Sequence, residues 1–280
     1  MSLATVQLPP PAAVFAGTYV DPLFGRLRNR YYLLRPGETT FEAADLVDSN
    51  PINKQTSERG LNAIGREQVR LAAQRLLDCG VSSPITFYDN GARASQTADI
   101  IARELGIPRV RMEPEFRWLE ARGLGVLDGT PLQPALGRMR ALDELDIDNR
   151  PDESDDGTPS DSVNDVFSRL RNTISKIETS YSGDDVVIIA GDATVLSILA
   201  AAACGVDLRQ HGQFVLQSGD FWDLQELAKD VKADRFKPAS LPVPSEEAVR
   251  AGRTAIREIG PRIFSETEAG SWVLGPGIQR

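Results

Sequence analysis

Residues 186–190, Val-Val-Ile-Ile-Ala, are apolar without interruption, and after Gly191-Asp192 the chain is largely apolar again over 195–204. A strand with no polar position has no face to offer water. It belongs inside a sheet covered on both sides, which means parallel strands flanked by helices. The same unit recurs earlier in the chain. Residues 31–34 read as a strand that breaks at the turn signal Arg35-Pro36-Gly37-Glu38. Over 62–78, Val69, Ala72, Ala73, Leu76 and Leu77 fall on one helical face, and Gly80 follows as a stop. Residues 84–88 read as a second buried strand, 89–92 as a loop, and 94–105 as a helix ended by Gly106. The expected fold is α/β, three layers (α/β/α) around a mostly parallel central sheet. Residues 214–216 and 221–224, separated by Ser218-Gly219-Asp220, are expected to close it as a hairpin. The Pro-rich segment 1–30, ending in Arg26, Arg28 and Arg30, reads as an extended arm. Residues 31–227 form the body, and 228–280, with one helix over 245–258, an extension wrapping the core.

At 280 residues, 41% hydrophobic and 25% charged, the chain can bury a sizeable core, and disorder of the whole is excluded. No run of about 18 apolar residues occurs, and no Lys or Arg precedes the apolar part of 1–20. Neither a membrane span nor a signal peptide is expected, and a soluble, intracellular protein is the favoured reading. A net charge of -9 argues against a general binder of nucleic acid or anionic membrane, which needs a basic face. That charge is concentrated. Residues 143–165 hold ten acidic residues and one basic, Arg150, while the remainder balances at 30 against 30. So many like charges repel, so a solvent-exposed loop is expected here, leading into a helix near Ser162 and offering a docking surface to a basic protein partner.

Cys79 and Cys204 read as free thiols, since nothing points to an oxidising compartment. The single histidine, His211, reads as a surface or structural residue. Two Cys and one His do not make a structural zinc site, and the spacing of Gly123, Gly125 and Gly129 is not a dinucleotide fingerprint. No metal or cofactor is expected.

In an open parallel sheet the ligand site lies beyond the carboxyl ends of the strands. The residues there are Arg35-Pro36-Gly37-Glu38-Thr39, then Asp89 to Thr97, then Gly191-Asp192. Together they resemble the histidine phosphatase superfamily, also called phosphoglycerate mutase-like. Arg35-Pro36-Gly37-Glu38-Thr39 is similar to its Arg-His-Gly-Glu-Ser/Thr motif except at the histidine. Leu61 to Val69 follows the spacing of its Leu-Thr-x-x-Gly-x-x-Gln-Ala helix start, and Arg93-Ala94-Ser95-Gln96-Thr97-Ala98 its Arg-Ala-x-Gln-Thr-Ala motif. Trp118-Leu119-Glu120 through Asp128-Gly129 looks like the segment that carries the family's acid. The resemblance covers about residues 31–225.

It implies phosphomonoesterase or phosphomutase chemistry, in which the first-motif histidine attacks phosphorus and a second, after a later strand, stabilises the transferring group. Pro36 stands at the first position, and Gly191 or Asp192 at the second. A proline in a peptide has no lone pair with which to attack. By the same resemblance Arg35 and Arg93 would hold phosphate oxygens, and Glu120 would be a proton donor left without a reaction to assist. Two guanidinium forks make a plausible cradle for a phosphorylated or carboxylate ligand. Equally, Arg35 and Arg93 could be closed into ion pairs with acids such as Glu120, Asp89 or Asp192. The expected function is a catalytically inactive member, a pseudoenzyme, binding an anion or a protein partner. The alternative is an active phosphatase or mutase with a non-histidine nucleophile such as Asp192.

Overall fold

The computed structural model describes residues 21, 23–238, 245–259, 264–266 and 272–274. Its centre is a five-stranded sheet: β1 (Arg30–Leu34), β2 (Ile85–Asp89), β3 (Met112–Glu115), β4 (Asp185–Ile189) and β5 (Phe221–Asp223), in the order β3-β2-β4-β1-β5. All neighbours run parallel except β5, which pairs antiparallel with β1 through Leu34↔Phe221, Leu33↔Trp222 and Tyr32↔Asp223. β4 is the middle strand, which explains its unbroken apolar sequence. Val186 and Ile188 enter one core, Val187 and Ile189 the other. Its neighbour β1 divides in the same way, Tyr31 and Leu33 against Tyr32 and Leu34.

The first core is roofed by α5 (Val163–Ser180), α6 (Ala193–Cys204) and α7 (Leu224–Lys232). The second is roofed by α2 (Ala63–Asp78) and α3 (Ala92–Leu105). Local chemistry sets the ends of these helices. The Asn62 side chain caps α2 by accepting from Gly65 N (2.8 Å), and Ser162 with Asp165 forms a capping box on α5. Gly106 and Gly205 end α3 and α6 in the left-handed conformation, at φ 67° and 70°. A short α1 (Thr40–Ala43) and α4 (Leu132–Leu145) lie outside the sheet, and α8 (Glu246–Ile259) packs on α1, with Arg253 Nε donating to Ala44 O (3.3 Å). An antiparallel pair, β6 (Phe264–Glu266) and β7 (Trp272–Leu274), stands apart from the main sheet.

Several expectations need correction. Residues 214–216 form no strand, so there is no closing hairpin. The Leu216 carbonyl accepts from Arg35 Nη1 (2.7 Å), and the Phe214 ring stacks on Phe236 with centroids 4.8 Å apart, so tertiary contacts take up the groups a hairpin would use. Leu224, expected in the last strand, begins α7, where the Asp223 carboxylate caps Gln225 N and Glu226 N. A boundary at 227/228 would cut that helix. Asp143, expected in the solvated acidic loop, is buried in the last turn of α4, and His211 takes the structural of its two readings, buried against it. Of the N-terminal arm, residues 1–20 lie outside the described residues, while Phe24 packs into the first core against Phe167. Cys79 is exposed and Cys204 buried, both free thiols, and burial pushes the Cys204 thiol up to about 12.

Candidate functional site

The turn after β1 is held by the start of α2. A side chain on Gly37 would collide with the Gly65 carbonyl, and one on Gly65 with the Glu38 carbonyl, so both must be glycine for the loop and helix to approach. Glu38 N donates to Gln68 Oε1 (2.9 Å), and Asn62 Nδ2 to Glu38 Oε1 (2.6 Å). From α3, Gln96 Oε1 accepts from Leu61 N (2.9 Å) and Arg66 Nη2 (3.0 Å). Three sequence motifs thus interlock as one scaffold at the carboxyl ends of β1 and β2.

Within that scaffold the charged groups are already paired. Arg35 is buried, its Nη2 on Glu42 Oε1 (2.8 Å), and Pro36 beside it is buried with its carbonyl accepting from Gly219 N (3.0 Å). Burial raises the Glu42 carboxyl, but the charges of Arg35 and Arg93 and the bonds from Arg35 and the Thr39 backbone outweigh it and hold it below its ordinary value. Arg93, in the first turn of α3, donates from Nη2 to both Asp48 Oδ2 (2.5 Å) and Asp48 O (2.7 Å), while Arg59 Nη1 donates to Asp48 Oδ1. Lys54 Nζ reaches Glu120 Oε1 (2.5 Å) and Asp89 Oδ1 (3.1 Å). Burial raises the Asp89 carboxyl above its ordinary value, partly offset by Lys54 and by the bond from Gly91 N.

After β4 the arrangement is closed. Gly191 N donates to Leu119 O (2.7 Å), and a Cβ at position 191 would collide with the backbone nitrogen of Ala121. Asp192 caps α6, Oδ1 accepting from Val195 N (2.8 Å) and Oδ2 from Arg122 N (2.9 Å). Both carboxylate oxygens are occupied by backbone donors.

These elements surround a cavity of about 220 Å³ lined by, among others, Asp48, Lys54, Arg93, Arg117, Glu120 and Gly191. The structure therefore brings Arg93, Glu120 and Gly191 together around one cavity and turns Arg35 away, toward Glu42 and Leu216. The acids named in the sequence reading as ion-pair partners of Arg35 and Arg93 are replaced: Glu120 and Asp89 take Lys54, Asp192 takes backbone donors, and Glu42 and Asp48 take the two arginines. Sequence reading missed Asp48, Lys54, Arg59 and Arg117, which lie in stretches without helix or strand periodicity. Arg117, exposed on the lining, has no side-chain partner among the described residues.

A family model described as Histidine phosphatase superfamily (branch 1) matches residues 31–225. The chain belongs to the histidine phosphatase superfamily. Over 102 residues it is 35% identical to the Probable phosphoglycerate mutase GpmB of Yersinia enterocolitica, an alignment that spans 36% of this chain and 42% of that protein. Its fold is similar to that of a mycobacterial glucosyl-3-phosphoglycerate phosphatase solved with VO3, at TM-score 0.55 and 18% identity, covering 69% of this chain and 90% of that one. It is also similar to the alpha-ribazole phosphatase from Shigella flexneri, at TM-score 0.50 and 19% identity, covering 69% and 88%. In this histidine phosphatase superfamily member, neither Pro36 nor Gly191 has a side-chain lone pair.

Proposed function

We propose that this chain is a member of its superfamily that carries out no phosphohistidine chemistry and acts as a binding protein for a small phosphorylated or carboxylate ligand. The observation that carries this reading is the closure at position 191. Catalysis by a histidine pair needs an attacking imidazole after β1 and a second one after β4. Pro36 supplies no lone pair, and at 191 the Ala121 backbone occupies the space a side chain would need. Glu120, bound to Lys54, is an ion-pair partner rather than an acid in waiting. Arg117 supports retained anion binding, as an exposed cavity-lining guanidinium that makes no ion pair among the described residues. The exposed acids of 144–156 would offer a basic protein partner its docking surface.

The alternative, an active enzyme using Asp192, requires that carboxylate to release both backbone donors. Incubation with p-nitrophenyl phosphate, 3-phosphoglycerate and glucose 6-phosphate, with and without magnesium, is expected to release no phosphate above the buffer rate. Pro36→His is expected to change nothing, because position 191 stays closed. Wild-type turnover that disappears in Asp192→Asn would establish the alternative instead.

A further inference from the structure

Asp48 lies between two guanidinium groups as an external oxyanion would. Arg93 takes one carboxylate oxygen and Arg59 the other, and the carboxylate is 3% exposed. The chain delivers it from both sides. Val47 N donates to Thr130 O (2.9 Å) and Gly129 N to Val47 O (3.0 Å), while Ser49 N and Asn50 N both donate to Asp128 Oδ1 (2.6 and 3.1 Å). The cavity reaches this point, since Asp48 and Arg93 both line it.

We propose that Asp48 is an internal ligand filling an oxyanion subsite made by Arg59 and Arg93, and that this carboxylate, not a shortage of cations, limits the site's affinity for phosphate. The proposal rests on the reading of the cavity as a ligand site. Charge balance supports it. Asp48 is the acid in contact with both guanidinium groups, while Asp128 also acts on Arg59 and Glu42 on Arg93, so an entering dianion would meet a buried like charge at short range. Arg59 lies behind Asp48, outside the cavity lining, so a small neutral side chain at 48 would open the space between the two guanidinium forks to phosphate oxygens, the charge-assisted arrangement that binds such groups best.

Calorimetric titration with inorganic phosphate, ionic strength held constant with sodium chloride, tests it on the full chain. Asp48→Ala should bind phosphate at least tenfold more tightly than wild type, and Asp48→Ala with Arg93→Gln should lose that gain. Equal affinity in wild type and Asp48→Ala, or a gain that survives Arg93→Gln, overturns the proposal. If Asp48→Ala is too unstable to titrate, its melting temperature must rise with phosphate more steeply than that of wild type. Parallel rises overturn it as well. Phosphoester turnover, measured separately, would overturn the non-catalytic reading without bearing on Asp48.

Discussion

Arg122 carries more of this fold than its place in the sequence suggests. It is 1% exposed and donates bidentately to Asp143, Nη1 to Oδ2 (2.6 Å) and Nη2 to Oδ1 (2.8 Å), while His211 Nε2 lies 3.1 Å from the same Oδ2. Because Asp143 only accepts, His211 donates to it from Nε2, while Nδ1 lies 2.8 Å from Ser197 Oγ, whose hydroxyl also reaches Thr194 O (2.8 Å). Breaking one side of a buried pair leaves an uncompensated charge, so Asp143→Ala should cost about 3–5 kcal/mol in urea unfolding. Burial raises the Asp143 carboxyl, but Arg122 and His211 outweigh it and hold it below its ordinary 3.8. A group depressed in the folded state contributes stability in full above its unfolded value, lost as pH falls through the folded one. Asp143 and Glu42 should therefore make the protein lose stability below about pH 4, and Asp143→Asn should flatten that part of a stability-against-pH curve. Asp89 has the opposite sign, its raised carboxyl binding a proton more readily when folded. In Asp89→Asn the acid-side fall should consequently steepen slightly.

Two glycines inside helices separate propensity from packing. A helical Gly→Ala change ordinarily adds about 0.5–1 kcal/mol. Gly137, within α4, has open space around the position of its missing Cβ, and Gly137→Ala should follow that rule. Gly65, within α2, faces the Glu38 carbonyl, and Gly65→Ala should destabilise instead, by more than about 1 kcal/mol in the same denaturant titration. A cap shows a related duality. Asp192→Ala removes an N-cap, about 0.5–2 kcal/mol, and also strands Arg122 N, so its cost should reach or exceed the upper end of that range in urea unfolding. Helices α2 and α3 were legible because their apolar stripes and glycine stops are local. β3 and α4 escaped notice: Met112–Glu115 reads polar because it is an edge strand, and α4 has only a small cluster to pack, with Ala135 and Met139 against Val47, Leu124 and Leu127.

At the scale of the whole molecule, the acidic segment is part scaffold and part surface. Asp143 is buried, Asp161 Oδ2 accepts from Gly123 N (3.0 Å) and Arg169 Nη2 (3.0 Å), and Asp165 completes a capping box. Glu144, Glu153 and Asp155 are exposed. Changing those three to Gln, Gln and Asn should shift stability by no more than about 0.5 kcal/mol at low salt, and by less at high salt, since only screened self-repulsion is removed. Thermal unfolding at two ionic strengths checks this. A loss of more than about 1 kcal/mol would mean that these acids serve the fold.

The sequence alone determined the three inner strands of the sheet and the helices beside them, because strands buried on both faces are close to continuously apolar and each helix must carry its own stripe and stop. It also determined that Pro36 has no lone pair, which follows from covalent structure and needs no fold. Only tertiary structure decided what Arg35 and Arg93 do. Charged side chains choose partners by distance, and Glu42 and Asp48 come within reach through loops that carry no periodic signal. The same holds for His211, whose burial depends on α4 and α6 closing over it from 68 and 14 residues away. The closure at Gly191 is likewise invisible in the sequence, since a glycine after a strand looks the same whether it faces open space or the Ala121 backbone.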